Sequence, residues 1–480
     1  MIYPMYIDGE WVTVEGSSKD VVSPATGEVI GTITPAGATE VERALKAADR
    51  EKSMMEKLTV FERAEMCNRL ADAIDHHREE LANIIAMEMG KPYEAALGEC
   101  AGSALAFRDA AEQIKWMPSE IPSVREKNVH VYAYRKPVGV FAVITPFNFP
   151  ICTAACYYLA PGLAAGNTMV WFPPISCSAI ASVFMKCVEE AKIPNGVISM
   201  VIGTSAEAKT IAVKHPLTAG IGFTGSTEAG NIICGNAKAK KIVMELGGNG
   251  PVVVLKDANL EAAADAIMGG SFGNSGQICT STERVLVDES VADKLAEIIL
   301  SKMDQYKVGN PMEAGVNMGP VHTTATVDTV LRHIDDAVKK GAKVISKQSG
   351  MVEGMPTRNY LYPTVIDHVA KDALVNIEET FGPLIALVRF KEEEEIMPLI
   401  EMSPYGLAAA VFTSDMKKGM LMAESMRFGY VNINSGSNYW DWTFPAGGAG
   451  GSQSGFGRSG GKWSIQEMSE ERCVSVNLNV

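Results

Sequence analysis

The chain has 480 residues and a formal net charge of −14, with 47% hydrophobic and 21% charged residues. That length accommodates roughly two or three domains with large buried cores, and the acidity argues against a nucleic-acid partner, whose phosphates need clustered Lys and Arg. Nine cysteines, an odd number with no C-x-x-C among them, suggest no disulfide framework and point to a reducing, cytoplasmic setting. The start, M-I-Y-P-M-Y-I-D-G-E-W, has neither the basic residues nor the apolar run of a signal peptide.

In chain order, residues 40–115 alternate apolar and charged positions at helical spacing, clearest over 62–74 and 78–87. Residues 129–134 alternate in strand fashion. Short β-branched runs follow at 139–145, 168–172 and 197–202, separated by helical stretches. Residues 137–185 contain no Asp, Glu, Lys, Arg or His, yet prolines at 146, 150, 161, 173 and 174 interrupt them too often for a membrane helix. They read as strand, loop, helix and strand of a buried core. A second alternating set comprises strands at 251–255, 284–287, 343–346, 386–390, 408–412 and 430–434, with helices at 260–272 and 290–305. Strands alternating with helices imply parallel sheets, hence an α/β fold, with a second unit beginning near residue 250. Residues 435–461 form a long Gly-rich loop, and 473–480 an edge strand.

Two segments carry chemistry. F-G-N-S-G-Q-I-C, residues 272–279, places a lone thiol, Cys279, just past a predicted helix, where backbone N–H groups are expected to lower its pKa. M-E-L-G-G-N, residues 244–249, holds Glu245 at a strand end before two glycines. A thiol plus a carboxylate able to activate water is the minimal kit for making and hydrolysing a thioester. Taken singly, each has a bland reading: a buried cysteine, a strand-end salt bridge. Asn148, fixed between prolines in I-T-P-F-N-F-P, is either a preorganised amide donor or an asparagine closing its own turn. F-T-G-S-T-E-A-G, residues 223–230, follows a β run and opens a helix, the junction that dinucleotide phosphates favour, although it is not G-x-G-x-x-G. Cys152 and Cys156 face one way at helical spacing, but with no nearby partners they read as buried apolar residues, and no metal site is expected.

Together these segments resemble the paired active-site motifs of the aldehyde dehydrogenase superfamily, and the resemblance runs from I-D-G-E-W to S-G-F-G-R-S-G-G. It implies a Rossmann-like cofactor domain (1–120 and 139–245), an α/β catalytic domain (246–465) and a β oligomerisation arm (121–138 and 466–480) pairing across the interface of a homodimer or homotetramer. Cys279 would be the nucleophile, Glu245 the activator of hydrolytic water and Asn148 the oxyanion donor. NAD or NADP would lie along Thr145, Phe147, Phe172, Gly225, Ser226, Leu246, Glu379 and Phe381, the last two from E-E-T-F-G-P. The implied function is oxidation of a small-molecule aldehyde to its acid; a coenzyme A-acylating enzyme and a non-catalytic protein on the same fold are the alternatives. Two departures stand out. G-N-T-M-V-W-F-P-P-I puts Phe172 and Ile175 where the family carries the Lys and Glu that hold the adenosine ribose, leaving NAD against NADP undecided. P-A-G-G-A-G-G-S-Q-S-G, residues 445–455, lengthens a loop beside the substrate entrance. Thr153, Cys156, Tyr439, Trp440 and Trp442 are expected at the substrate pocket, and Arg108 either reads an anionic substrate group or pairs with Glu112 on the helix surface.

Overall fold

Val140–Ile144 and Thr168–Phe172 are buried at every position, as strands of a parallel sheet covered on both faces must be. In the computed structural model, which describes all residues except 17, 204 and 205 and only the backbone of 206–208, they lie side by side at the centre of an eight-stranded sheet. Its order is Gly455–Phe456, Lys241–Glu245, Thr218–Thr224, Val140–Ile144, Thr168–Phe172, Ile198–Met200, Met5–Ile7, Glu10–Val12. The five strands between Lys241 and Met200 in that order run parallel, and antiparallel strands close both edges. The chain moves outward from Val140–Ile144 through two strands, then returns to its other side as Thr218–Thr224. Strand order therefore reverses between these two, which is where open α/β sheets bind ligands, beyond the carboxyl ends.

A seven-stranded sheet follows in the order Lys343–Val344, Thr364–Asp367, Leu384–Phe390, Thr282–Asp288, Gly250–Val254, Ala408–Phe412, Tyr430–Ile433. Every neighbour is parallel except the first pair. Only Leu246–Asn249 separates Lys241–Glu245 of the first sheet from Gly250–Val254 of the second. This short link sets carboxyl strand ends of one sheet against amino strand ends of the other.

Two expectations change. Val129–Pro137 and Ser469–Asn477 form a two-stranded antiparallel ribbon, in register from Ser469↔Pro137 to Asn477↔Val129, but within one chain and not between subunits. Helix Gly461–Glu467 delivers the last strand there, tied down by Asn167 Nδ2, which donates to Met468 O at 2.7 Å. The second unit also ends earlier than residue 465: Gly455–Phe456 pairs with Lys241–Glu245, so the chain has already returned to the first sheet. The reason is the Gly-rich loop, whose Ser454 donates its hydroxyl to Gly247 O at 2.7 Å and whose backbone carbonyl accepts Leu246 N–H at 3.1 Å. No helix among the described residues is long and apolar enough to cross a membrane.

Candidate active site

Cys279 reaches the sheet junction through a loop of unusual backbone. After helix Leu260–Phe272, Asn274, Ser275 and Gly276 take φ of 51°, 56° and 76° in succession. Left-handed conformation at two non-glycine residues costs energy and persists only where surroundings enforce it. They do: Ser275 Oγ donates to Gly319 O at 2.8 Å, Gln277 Nε2 donates to Asn274 O at 3.0 Å, and Gln277 Oε1 accepts His322 N–H at 2.8 Å. Gly248 is required beside the thiol, since a Cβ there would stand 2.1 Å from Cys279 O.

The thiol differs from expectation. Cys279 touches the cavity yet lies deep, and burial pushes it up to about 12, followed by Glu245 and Glu379; the backbone N–H groups of Cys279 and Thr280 oppose the rise. A thiol past a helix end is activated only if solvent or cations support the thiolate, and here two carboxyl groups face it. In the resting protein Cys279 is a protonated thiol that needs a base.

Glu245 ends its strand almost fully buried, its Oε1 without a hydrogen-bond partner. Burial pushes it up to about 8, against the Ser459 hydroxyl and the Arg458 charge. Glu379 is likewise pushed up to about 8 by burial and by Glu283, while its Oε1 accepts Gly248 N–H at 3.0 Å. Both carboxyls are therefore mostly protonated at neutral pH, and either becomes a base on modest alkalinisation. Glu283 holds the neighbouring turn by accepting the N–H groups of Thr380 at 2.9 Å and Phe381 at 3.1 Å.

Asn148 follows strand Val140–Ile144 at the switch point. Its Nδ2 donates to Gln277 O at 3.0 Å, which fixes the amide's orientation, since only the nitrogen donates to a carbonyl. One N–H remains for a ligand. A buried ion pair steadies this loop: Lys91 Nζ bonds Glu99 and donates to Asn148 O at 3.1 Å, and Glu99 Oε1 accepts the N–H groups of Ile151 at 3.1 Å and Cys152 at 3.2 Å. Helix Tyr93–Gln113 presents Glu99 to the loop.

A cavity of about 500 Å³ brings Cys279, Glu245 and Asn148 together. On one side it is lined by Phe147, Gly225, Ser226, Leu246, Gly247, Glu379 and Phe381. Ser226 caps helix Thr227–Ala237, accepting Ala229 N–H at 3.3 Å, so the helix's positive end opens there. On the other side stand Thr153, Cys156, Tyr157, Trp440 and Trp442. A π-helical turn, Ala154–Leu159, carries Cys156 and Tyr157, and such turns often mark functional sites. Cys152 and Cys156 place their sulfurs 3.5 Å apart.

Four expected residues lie elsewhere. Thr145 is buried and accepts Trp171 Nε1–H at 2.9 Å; Phe172 is wholly enclosed in the first core, so it offers no surface to a nucleotide. Tyr439 is 56% exposed and stacks on Phe444. Arg108 points away from the cavity and pairs with Asp72 and Asp75, each at 2.8 Å, while Glu112 is engaged by Lys115 and Trp116. Of the lengthened loop, only Ala446 reaches the lining; Ser454 and Gly455 back residues 245–247. Sequence reasoning passed over Lys91, Glu99 and Glu283. The only signal was a charged residue at an otherwise apolar helical position for Glu99 and strand position for Glu283; Lys91 lies in the short connection between two helices and gave none.

Comparison with known proteins agrees with this geometry. A family model described as the aldehyde dehydrogenase family matches residues 11–474. A glutarate-semialdehyde dehydrogenase of Pseudomonas putida is 36% identical, with 98% of this chain and 97% of that protein covered. A lactaldehyde dehydrogenase of Methanocaldococcus jannaschii is 34% identical over 98% of this chain and 100% of that protein. The crystal structure of an aldehyde dehydrogenase from Brucella melitensis biovar abortus superposes with a TM-score of 0.96 at 33% identity, covering 100% of this chain and 98% of that one.

Proposed function

The chain belongs to the aldehyde dehydrogenase family, and from that premise we propose that Cys279, Glu245 and Asn148 carry its reaction, the oxidation of an aldehyde to a carboxylic acid with NAD or NADP. The observation that carries this assignment is their convergence on one cavity at the junction of the two sheets. The dinucleotide suits the first side of the cavity. Gly225, Ser226 and the helix end would hold its phosphates, Glu379 the nicotinamide ribose, and Leu246, Phe147 and Phe381 the ring; Phe147 and Phe381 already meet edge to face at 6.0 Å. Phe172 leaves the adenosine half to be held differently.

Glu245, once ionised, takes the Cys279 proton, and the thiolate attacks the aldehyde carbon to give a thiohemiacetal. The free Asn148 N–H and the Cys279 backbone N–H hold the oxyanion; one such donor is worth about 3 kcal/mol of transition-state stabilisation. A nicotinamide held there would supply the hydride acceptor needed to convert the thiohemiacetal to a thioester. Glu245 releases the Cys279 proton to solvent and, ionised again, removes one from water as it attacks the thioester carbon; the tetrahedral intermediate expels the Cys279 thiolate, which takes the proton back from Glu245 as the acid departs. A carboxylate placed to activate water favours hydrolysis over acyl transfer to coenzyme A, and an intact constellation disfavours a retired, non-catalytic fold.

The ribbon supports a homodimer or homotetramer. Tyr132 and Val474 oppose each other on it and are 44% and 42% exposed, an apolar sheet face and edge of the kind that neighbouring subunits cover. All nine cysteines are free, which suits the cytoplasm. Cofactor reduction followed by absorbance with a panel of aldehydes tests the central reading: wild type turns over, and Cys279→Ala folds but falls by at least about 1000-fold, as removal of a covalent nucleophile does. Comparable activity in Cys279→Ala removes the residue from this role.

A further inference from the structure

Resting on that reading, the lining of the second side of the cavity identifies the kind of aldehyde. Phe149, Tyr157, Trp440 and Trp442 wall it, with the sulfurs of Cys152 and Cys156 between them. Trp440 meets Trp442 edge to face at 4.7 Å and Tyr157 at 5.5 Å, so the aromatic wall is braced on itself. Soft thiols beside rings add favourable contacts to an apolar or aromatic guest.

No lining residue is Lys, Arg or His among the described residues. Lys91, Arg458 and Arg108 are already engaged elsewhere. Lys91 is spent on Glu99 and Asn148 O, Arg458 donates to Gly448 O at 3.0 Å and Gly457 O at 2.7 Å, and Arg108 is paired at the surface. The start of the helical segment that follows Thr153 is the remaining source of positive potential there, and Glu99 already answers it at the N–H groups of Ile151 and Cys152. A substrate carboxylate would enter this space with no partner, and burying an unpaired charge is costly. A cation would have only the faces of the aromatic wall to hold it, because the lining carboxyls, Glu245 at the reaction centre and Glu379 on the cofactor side, are both held largely protonated by burial.

We propose that the enzyme takes an uncharged aldehyde with a bulky apolar or aryl body, selected by Tyr157, Trp440 and Trp442, and discriminates against acidic semialdehydes, although a similar protein is a glutarate-semialdehyde dehydrogenase. The test uses the full-length wild-type enzyme with saturating NAD and, separately, NADP, and compares kcat/KM for 3-phenylpropanal, succinic semialdehyde, the methyl ester of succinic semialdehyde and betaine aldehyde. The ester differs from the acid in charge and one methyl group. The expected result is 3-phenylpropanal best and the ester preferred over the acid by roughly 100-fold. Trp442→Arg should lower 3-phenylpropanal turnover and narrow the ester-to-acid ratio by about tenfold or more; the wild-type series decides if this variant does not fold. Equal or better use of succinic semialdehyde, or a preference for betaine aldehyde, overturns the substrate class while leaving aldehyde oxidation intact. No turnover of any aldehyde with either cofactor overturns both readings.

Discussion

On the side of Cys279 proposed for the cofactor, the cavity wall combines the side chains of Phe147, Glu379 and Phe381 with glycine-bearing backbone, Gly225, Gly247 and the turn at Phe381, held by bonds from Glu283, Glu379 and Ser454. On the opposite side it is side chain: Tyr157 from a helical turn and Trp440 and Trp442 from a loop about 280 residues later. A backbone wall suits a ligand whose phosphates and ribose recur unchanged, because N–H groups and helix ends do not depend on side-chain identity. A side-chain wall can be replaced residue by residue without moving a strand. On the proposed assignment, the first side would fix the class of chemistry and the second the substrate.

The largest way to break this division acts on the element that joins both sides. Glu99→Ala leaves Lys91 charged and unpaired in the interior and frees the N–H groups of Ile151 and Cys152. A stability loss of about 3–5 kcal/mol is expected on thermal or denaturant unfolding. In protein that remains folded kcat should drop, because the Asn148 loop loses its brace, while the KM for NAD or NADP changes little. Glu99→Gln, which keeps an acceptor for those N–H groups, should recover part of kcat. Equal losses in both variants, or a rise in cofactor KM alone, would assign Glu99 to packing only.

A smaller effect sharpens the cofactor side. Glu245 and Glu379 have folded pKa values of about 8 against an ordinary 4.5. Between those limits the folded protein holds protons that the unfolded chain has released, so their contribution to stability falls as pH rises from about 4.5 to 8, by at most about 1.4 kcal/mol per pH unit for each group. Glu379→Gln should flatten that decline, measured as unfolding free energy at several pH values. An unchanged slope would mean that Glu379 is solvated in solution. Smallest of all is Arg108→Ala, which removes two surface ion pairs and should cost less than about 1 kcal/mol, with the ester-to-acid ratio of kcat/KM unaltered. A change in that ratio would bring Arg108 back to the substrate side.

Much of the frame was legible because buried parallel strands are short, nearly continuous apolar runs and a helix shows its own spacing. Thr168–Phe172, Ala408–Phe412 and helix Leu260–Phe272 fall where the pattern puts them. Met5–Ile7 and Gly455–Phe456 escaped because they are two or three residues long and are strands only through the neighbours they join. The intrachain ribbon was missed for a related reason: an exposed strand shows where it needs a partner, not whose strand it is. At the site, glycine-bearing motifs marked the backbone wall well. The raised thiol pKa was not readable, since it depends on burial and on two carboxyls brought from residues 245 and 379. Phe172 and Arg108 show the same limit from the other side, as a position on a strand or a helix does not reveal which face opens on the cavity.

In the proposed mechanism one buried carboxyl, Glu245, serves as the base for Cys279 and then for the hydrolytic water. Rapid-mixing measurement of reduced cofactor in wild type and Glu245→Gln, from pH 6 to 10, tests it most directly. If Glu245 has both duties, the wild-type rate climbs as pH rises through about 8, where the carboxyl ionises. The variant then loses that limb, gives a slow single turnover that quickens only at higher pH, where the thiol that burial holds protonated ionises unaided, and stalls with one acyl group on Cys279. A fast first turnover in Glu245→Gln that keeps the wild-type pH dependence, followed by continued steady turnover, would contradict the account.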